Sequence, residues 1–145
     1  MNQIAAVTLL FVALFNTAIP AYADEKIDCS GVSFSEARSL AELPAEVGAL
    51  MGKDRLGLGG IADRDGKFNV SDALVPGEEQ LPFRRFSLAA VSTNCILVAV
   101  EHGGIGYSVE LWAFERSNNR WRGEKRKSIF SVPRSLQELI AHASK

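Results

Sequence analysis

The side chains best able to do chemistry sit together at Glu101-His102, followed by Gly103-Gly104-Ile105-Gly106-Tyr107. A carboxylate beside an imidazole, at the end of an apolar run and next to a flexible turn, has the makings of a general base. Nothing else joins it as a nucleophile. The chain has two histidines and two cysteines, and neither a G-x-S-x-G nor an H-E-x-x-H pattern. His142 lies in the last turn of a C-terminal helical pattern, where a cation favours the helix dipole. A carboxylate pair for glycoside cleavage stays open, because pair separation is not written in a sequence.

Three motif-like stretches fail on spacing. Gly48 to Asp54 imitates a phosphate loop, but three residues separate its glycines instead of four, and Asp54 stands where Ser or Thr must hold magnesium. Gly57-x-Gly59-Gly60 lacks both the spacing and the preceding strand of a dinucleotide turn. Asp63-x-Asp65-Gly66 has its glycine two positions too early for a calcium loop and reads as a turn. With no C-x-x-C either, no metal site and no cofactor is expected.

Contact surfaces remain. The turn from Glu101 through Gly103, Gly104 and Ile105 to Tyr107 reads either as a plain hairpin or as a protrusion able to enter another protein's cleft. The second surface is the hairpin turning at Asn118-Asn119. With those two residues at the tip, Arg116 faces Trp121 and Glu115 faces Arg122, while Trp112, Phe114 and Trp121 share one side. Aromatics and arginine are the usual material of interface hot spots, and Trp121 with Arg116 suits a cation–π pair. The tryptophans read equally as core. Arg120, Arg122, Lys125, Arg126 and Lys127 place five bases in eight residues, either a solvated edge strand or a surface for an acidic partner. The acidic loop 52–82 is a third surface, offering Asp63, Asp65, Glu78 and Glu79.

Positioning these groups requires a framework. Strand patterns cover Phe83–Ser92, Cys95–Glu101, Tyr107–Arg116 and Arg120–Lys127, with a further strand expected at Ser128–Val132 and a short one near Lys67–Val70. The Ser33/Glu36 spacing of a capping box predicts a helix over 34–43; Pro44 either ends it or opens a second helix through Leu50, which Gly52 would close. A third helix is expected from about Pro133, on Leu136, Leu139, Ile140 and Ala143. The fold class is therefore α+β: an antiparallel meander of four to five strands, with N-terminal helices and a C-terminal helix packed together on one face. Tyr107–Arg116 is apolar on both sides, as for a central strand covered on both faces or one whose second face meets a partner. The glycine-rich stretch 52–82 is long for a loop and should be functional or poorly ordered.

The chain has 145 residues, 47% hydrophobic, with a formal charge of −1. That suits one domain and argues against a nucleic-acid binder. Ile4 to Pro20 is nearly all apolar and is closed by Ala21-Tyr22-Ala23, the pattern of a cleaved signal peptide over 1–23 with the cut after Ala23. A single domain over 24–145 follows, periplasmic or secreted, with no membrane contact once the leader is gone. In that compartment Cys29 and Cys95 should form a disulfide pinning the N-terminal segment to the sheet, worth about 4 kcal/mol by loop closure. From Asp24 to Gln80 there are 12 acids and 6 bases; from Leu81 to Lys145 there are 5 acids and 10 bases. The halves either neutralise each other across the fold or leave a bipolar surface.

An exported small binding protein follows, of the inhibitor or immunity type, occluding an envelope-directed hydrolase or toxin. The competing expectations are a small envelope hydrolase using Glu101 and His102, and an accessory protein of an envelope complex that keeps its leader.

Overall fold

A computed structural model describes residues 26–73 and 75–144. The expected leader lies outside the described residues. The architecture is the anticipated α+β meander: β1 (Ser35–Ala37), β2 (Arg84–Val91), β3 (Cys95–His102), β4 (Ser108–Ser117) and β5 (Arg120–Ile129) form one antiparallel sheet in chain order. Two helices, α1 (Ala45–Met51) and α2 (Leu136–Ala143), accompany it.

The helices do not share a face. Strand side chains alternate between two layers. In β3, Ile96, Val98 and Val100 join Val47 and Met51 of α1 in one core, with Phe86, Phe114 and Trp121. Cys95, Leu97 and Ala99 join Leu139 and Ala143 of α2 in the other, with Leu88, Val109, Leu111 and the N-terminal Ile27. A strand with seven consecutive buried positions has apolar groups on both faces, so both faces need cover. β4 follows the same logic, with Val109, Leu111 and Ala113 toward α2, and Trp112 and Phe114 toward α1.

The helix expected over 34–43 is absent. Its first residues are β1, pairing Ser35, Glu36 and Ala37 with Val91, Ala90 and Ala89 of β2. A 3-10 turn follows at Leu40–Glu42, capped by Ser39, whose hydroxyl accepts the Ala41 N–H at 3.1 Å. An exposed sheet edge outweighs one capping-box spacing, because pairing there satisfies backbone groups and buries Ala37 and Leu40. The second helix begins after Pro44 and ends as expected at Gly52, whose φ of 87° closes a Schellman motif, with Lys53 N–H donating to Gly48 carbonyl. The glycines that imitated a phosphate loop are thus a helix terminus.

Residues 67–70 form no strand, and β5 runs on to Ile129 in place of a separate strand at 128–132. The 52–82 stretch is held by backbone bonds. Ala62 N–H donates to Arg84 carbonyl at 2.9 Å, Phe86 N–H to Ala62 carbonyl at 2.8 Å, and Asn69 N–H to Pro82 carbonyl at 2.8 Å. Asp63 anchors its middle: one carboxylate oxygen accepts Leu40 N–H and Arg64 N–H, and the other accepts the Ser39 hydroxyl at 2.7 Å. Burial alone would raise the Asp63 pKa, but those three donors hold it below the ordinary value. The calcium-like stretch is a turn closed by Gly66 N–H on Asp63 carbonyl.

Cys29 and Cys95 are bridged, with Cα atoms 5.9 Å apart. Next to the bridge, Ile27 donates its N–H to Glu124 and accepts from Arg126 at 2.7 Å, tying the N-terminal segment to β5.

Candidate functional site

The sequence-derived contact residues divide between opposite ends of the sheet. β3 pairs with β4 from Cys95↔Glu115 to His102↔Ser108, which puts the 103–107 turn at one end of β4. β4 pairs with β5 from Val109↔Ile129 to Ser117↔Arg120, which puts Asn118-Asn119 at the other. Ten residues at about 3.3 Å per residue separate the two tips by roughly 30 Å.

At the hairpin end the expected register holds, with Arg116↔Trp121 and Glu115↔Arg122. Asn118 and Asn119 have φ of 50° and 60°, the type I′ geometry that suits a two-residue turn between twisted strands. The tryptophans are mainly structural. Trp121 is 9% exposed and belongs to the α1-side core. Trp112 is half-buried, stacks on Phe114 at 6.3 Å, and donates its indole N–H to Glu110. Arg116 bonds Asn119 rather than lying over Trp121; the described cation–π contact is Arg85 over Phe68, at 4.3 Å. Arg122 is held by Glu115 and Lys125 by Glu110.

At the turn end, Glu101 is buried and fully engaged. Its two oxygens accept Arg85 Nε at 3.0 Å and Arg85 Nη2 at 2.9 Å, a bidentate pair, and the Tyr107 hydroxyl at 2.7 Å. The register places Arg85 on β2 opposite Glu101 on β3, and Tyr107 directly precedes β4, so this clamp ties two neighbouring strands to the base of the turn. Burial first, and then the Glu101 hydrogen bond, push the Tyr107 phenol up to about 12. The phenol therefore stays a donor.

Gly103 is buried beneath the 69–70 backbone. Its N–H donates to Phe83 carbonyl at 2.8 Å, and a Cβ there would lie 2.0 Å from Asn69 carbonyl oxygen. This position needs glycine for close approach and not for its dihedral angle. Gly104, with φ of 109°, then turns the chain outward. Ile105 stands 94% exposed at the tip and Tyr107 is 40% exposed at the base. His102 is half-exposed on the opposite face from Glu101, between Arg84 and Ser108 in the ladder. Sequential neighbours on a strand point apart, so Glu101 and His102 do not form the acid–imidazole pair their adjacency suggested.

Sequence reading missed Arg85, Phe68 and Arg84. The Arg84-Arg85 pair opens β2, and strand alternation sends the two guanidiniums to opposite faces. Arg85 takes Glu101; Arg84 bonds the carbonyls of Met51, Gly59 and Gly60, and burial lowers its pKa from the usual arginine value. Also missed were Val70 and Phe130, 56% and 91% exposed. Phe130 directly follows β5, at the same end of the sheet as the turn. Among the described residues no group of three His, Cys, Asp or Glu side chains is placed to hold a metal ion.

Comparison with protein-family models, with curated proteins and with solved structures yields no match.

Proposed function

We propose that this chain is an exported binding protein that occludes an envelope-directed hydrolase, with the 103–107 turn as the inserting element. The observation carrying this reading is Ile105, 94% exposed on a turn whose base is fixed by buried Gly103 and by the Arg85–Glu101–Tyr107 clamp. An apolar tip on a preorganised base loses little entropy on docking. The disulfide is compatible with an oxidising compartment such as the periplasm. A hydrolase built on Glu101 and His102 is disfavoured, because the carboxylate is committed to Arg85 and Tyr107 and the imidazole lies on the other face.

The test is inhibition. The mature oxidised protein, added to a soluble envelope fraction digesting suspended cell walls, should slow the clearing. Ile105→Asp should weaken that effect at least tenfold while the far-UV and near-UV circular dichroism stays native. Full inhibition by the folded variant would remove the turn from the mechanism, and clearing unaffected by the parent protein would remove the hydrolase.

A further inference from the structure

Resting on that reading, we infer that the docking surface is the whole turn end of the sheet, and that it fits a protein cleft with an apolar floor and a carboxylate rim. Four exposed apolar side chains lie at that end, from three separate connections. Val70 comes from the 52–82 stretch, Ile105 and Tyr107 from the β3–β4 turn, and Phe130 from the segment after β5. Val70 and the turn are in contact, since Gly104 N–H reaches Val70 carbonyl and a Cβ on Gly103 would lie 2.8 Å from Val70 Cα. Val109 pairs with Ile129, so Phe130 follows opposite Ser108, the residue next to Tyr107. Exposed large apolar groups gathered at one end of a small domain mark an interaction site, whereas the same groups scattered singly would not.

Charge fixes the rim. Lys67 precedes the Phe68 that carries Arg85, Lys127 lies on β5 two positions before Ile129, and Arg134 follows in the connection to α2. From Lys125 to Gln137 the chain has four bases and no acid. Asp72 is the acid nearest Val70 in the chain. Within the run from Lys125, Lys125 pairs with Glu110 and Arg126 with Glu124, both inside residues 81–145, so these pairs leave the basic excess of that half in place. A cationic fringe around an apolar knob is complementary to acidic groups around an apolar hollow.

The test uses the clearing assay with Phe130→Asp, Lys127→Glu and, as a far-end control, Asn119→Gly. Phe130→Asp should weaken inhibition at least tenfold, Lys127→Glu should weaken it several-fold and flatten its salt dependence, and Asn119→Gly should leave it unchanged. If Ile105→Asp abolishes inhibition and folded Phe130→Asp does not alter it, the broad surface is wrong and the turn reading stands. If neither variant alters it, both fall. Concentration-dependent dimerisation abolished by Phe130→Asp would reassign the surface to a second copy of this chain. Phe130-dependent sedimentation with phosphatidylglycerol vesicles would reassign it to a lipid surface. Either outcome overturns the protein-cleft assignment.

Discussion

Removal of the Glu101 carboxylate separates a structural clamp from a catalytic group by the sign of the stability change. In Glu101→Ala the Arg85 guanidinium loses two hydrogen bonds and the Tyr107 hydroxyl loses one. Breaking a fully buried ion pair costs about 3–5 kcal/mol, because the surviving charge is stranded. Here the Arg85 side chain is 30% exposed and lies over the Phe68 ring, so part of its charge can be rehydrated. Tyr107 reaches water readily. The expected loss is therefore about 2–3 kcal/mol. The assay is urea unfolding of the oxidised protein followed by tryptophan fluorescence, with Arg85→Met and the double variant completing a cycle. The double variant should be no less stable than Glu101→Ala alone, giving a coupling of about 2 kcal/mol between the two sites. Active-site acids are often kept in unfavourable surroundings, so their removal tends to stabilise. A neutral or stabilising Glu101→Ala, or strictly additive losses, would refute the clamp and reopen the hydrolase.

Three further outcomes follow from the same geometry. The Tyr107 phenol has its folded pKa raised to about 12 from an ordinary value of 10.0, so the folded state holds that proton longer than the unfolded chain. Stability from this group is complete below pH 10 and lost between about pH 10 and 12; Tyr107→Phe should remove that alkaline limb from a plot of unfolding free energy against pH. Reducing the Cys29–Cys95 bridge, which spans a sequence separation of 66, should cost about 4 kcal/mol in urea unfolding with and without dithiothreitol. Gly123→Ala should cost about 2–3 kcal/mol, because its Cβ would sit 2.4 Å from the Phe114 ring inside the α1-side core, and calorimetry should show the lowered Tm.

The readable parts of the fold were those where local chemistry and tertiary demand agree. Asn118-Asn119 accept positive φ, so the β4–β5 register followed from turn chemistry alone, down to Glu115 opposite Arg122. Gly52 ended α1 for the same reason. The helix misread at 34–43 lacked such agreement: its apolar spacing was short, and the edge of β2 offered Ala37 a better place to bury. The helices' placement on opposite faces was implied by the two-sided apolar character of β4, but it needs the three-dimensional assignment of each strand face. Adjacency in sequence also misled at Glu101-His102, where a strand's alternation separates neighbours more surely than fifteen intervening residues separate Arg85 from Glu101.

The clamp explains why one end of this sheet can carry apolar side chains in water without disturbing the fold. A β-hairpin tip with three glycines would ordinarily sample many conformations, and an exposed isoleucine on it would find internal cover. Here Gly103 is locked under the 69–70 backbone, and Tyr107 is tied through Glu101 to Arg85 on β2, so Ile105 is held out by its neighbours on both sides. The 52–82 stretch takes part in that fixation, since Ala62 bonds Arg84 and Phe86 of β2, Asn69 bonds Pro82 just before it, and Val70 accepts from Gly104 after β3. A segment that looks like a dispensable loop is then the support on which the turn rests. Loosening its Asn69–Val70 part should degrade docking before it degrades the two cores, which take Ile61 from this stretch but nothing from the turn or the clamp.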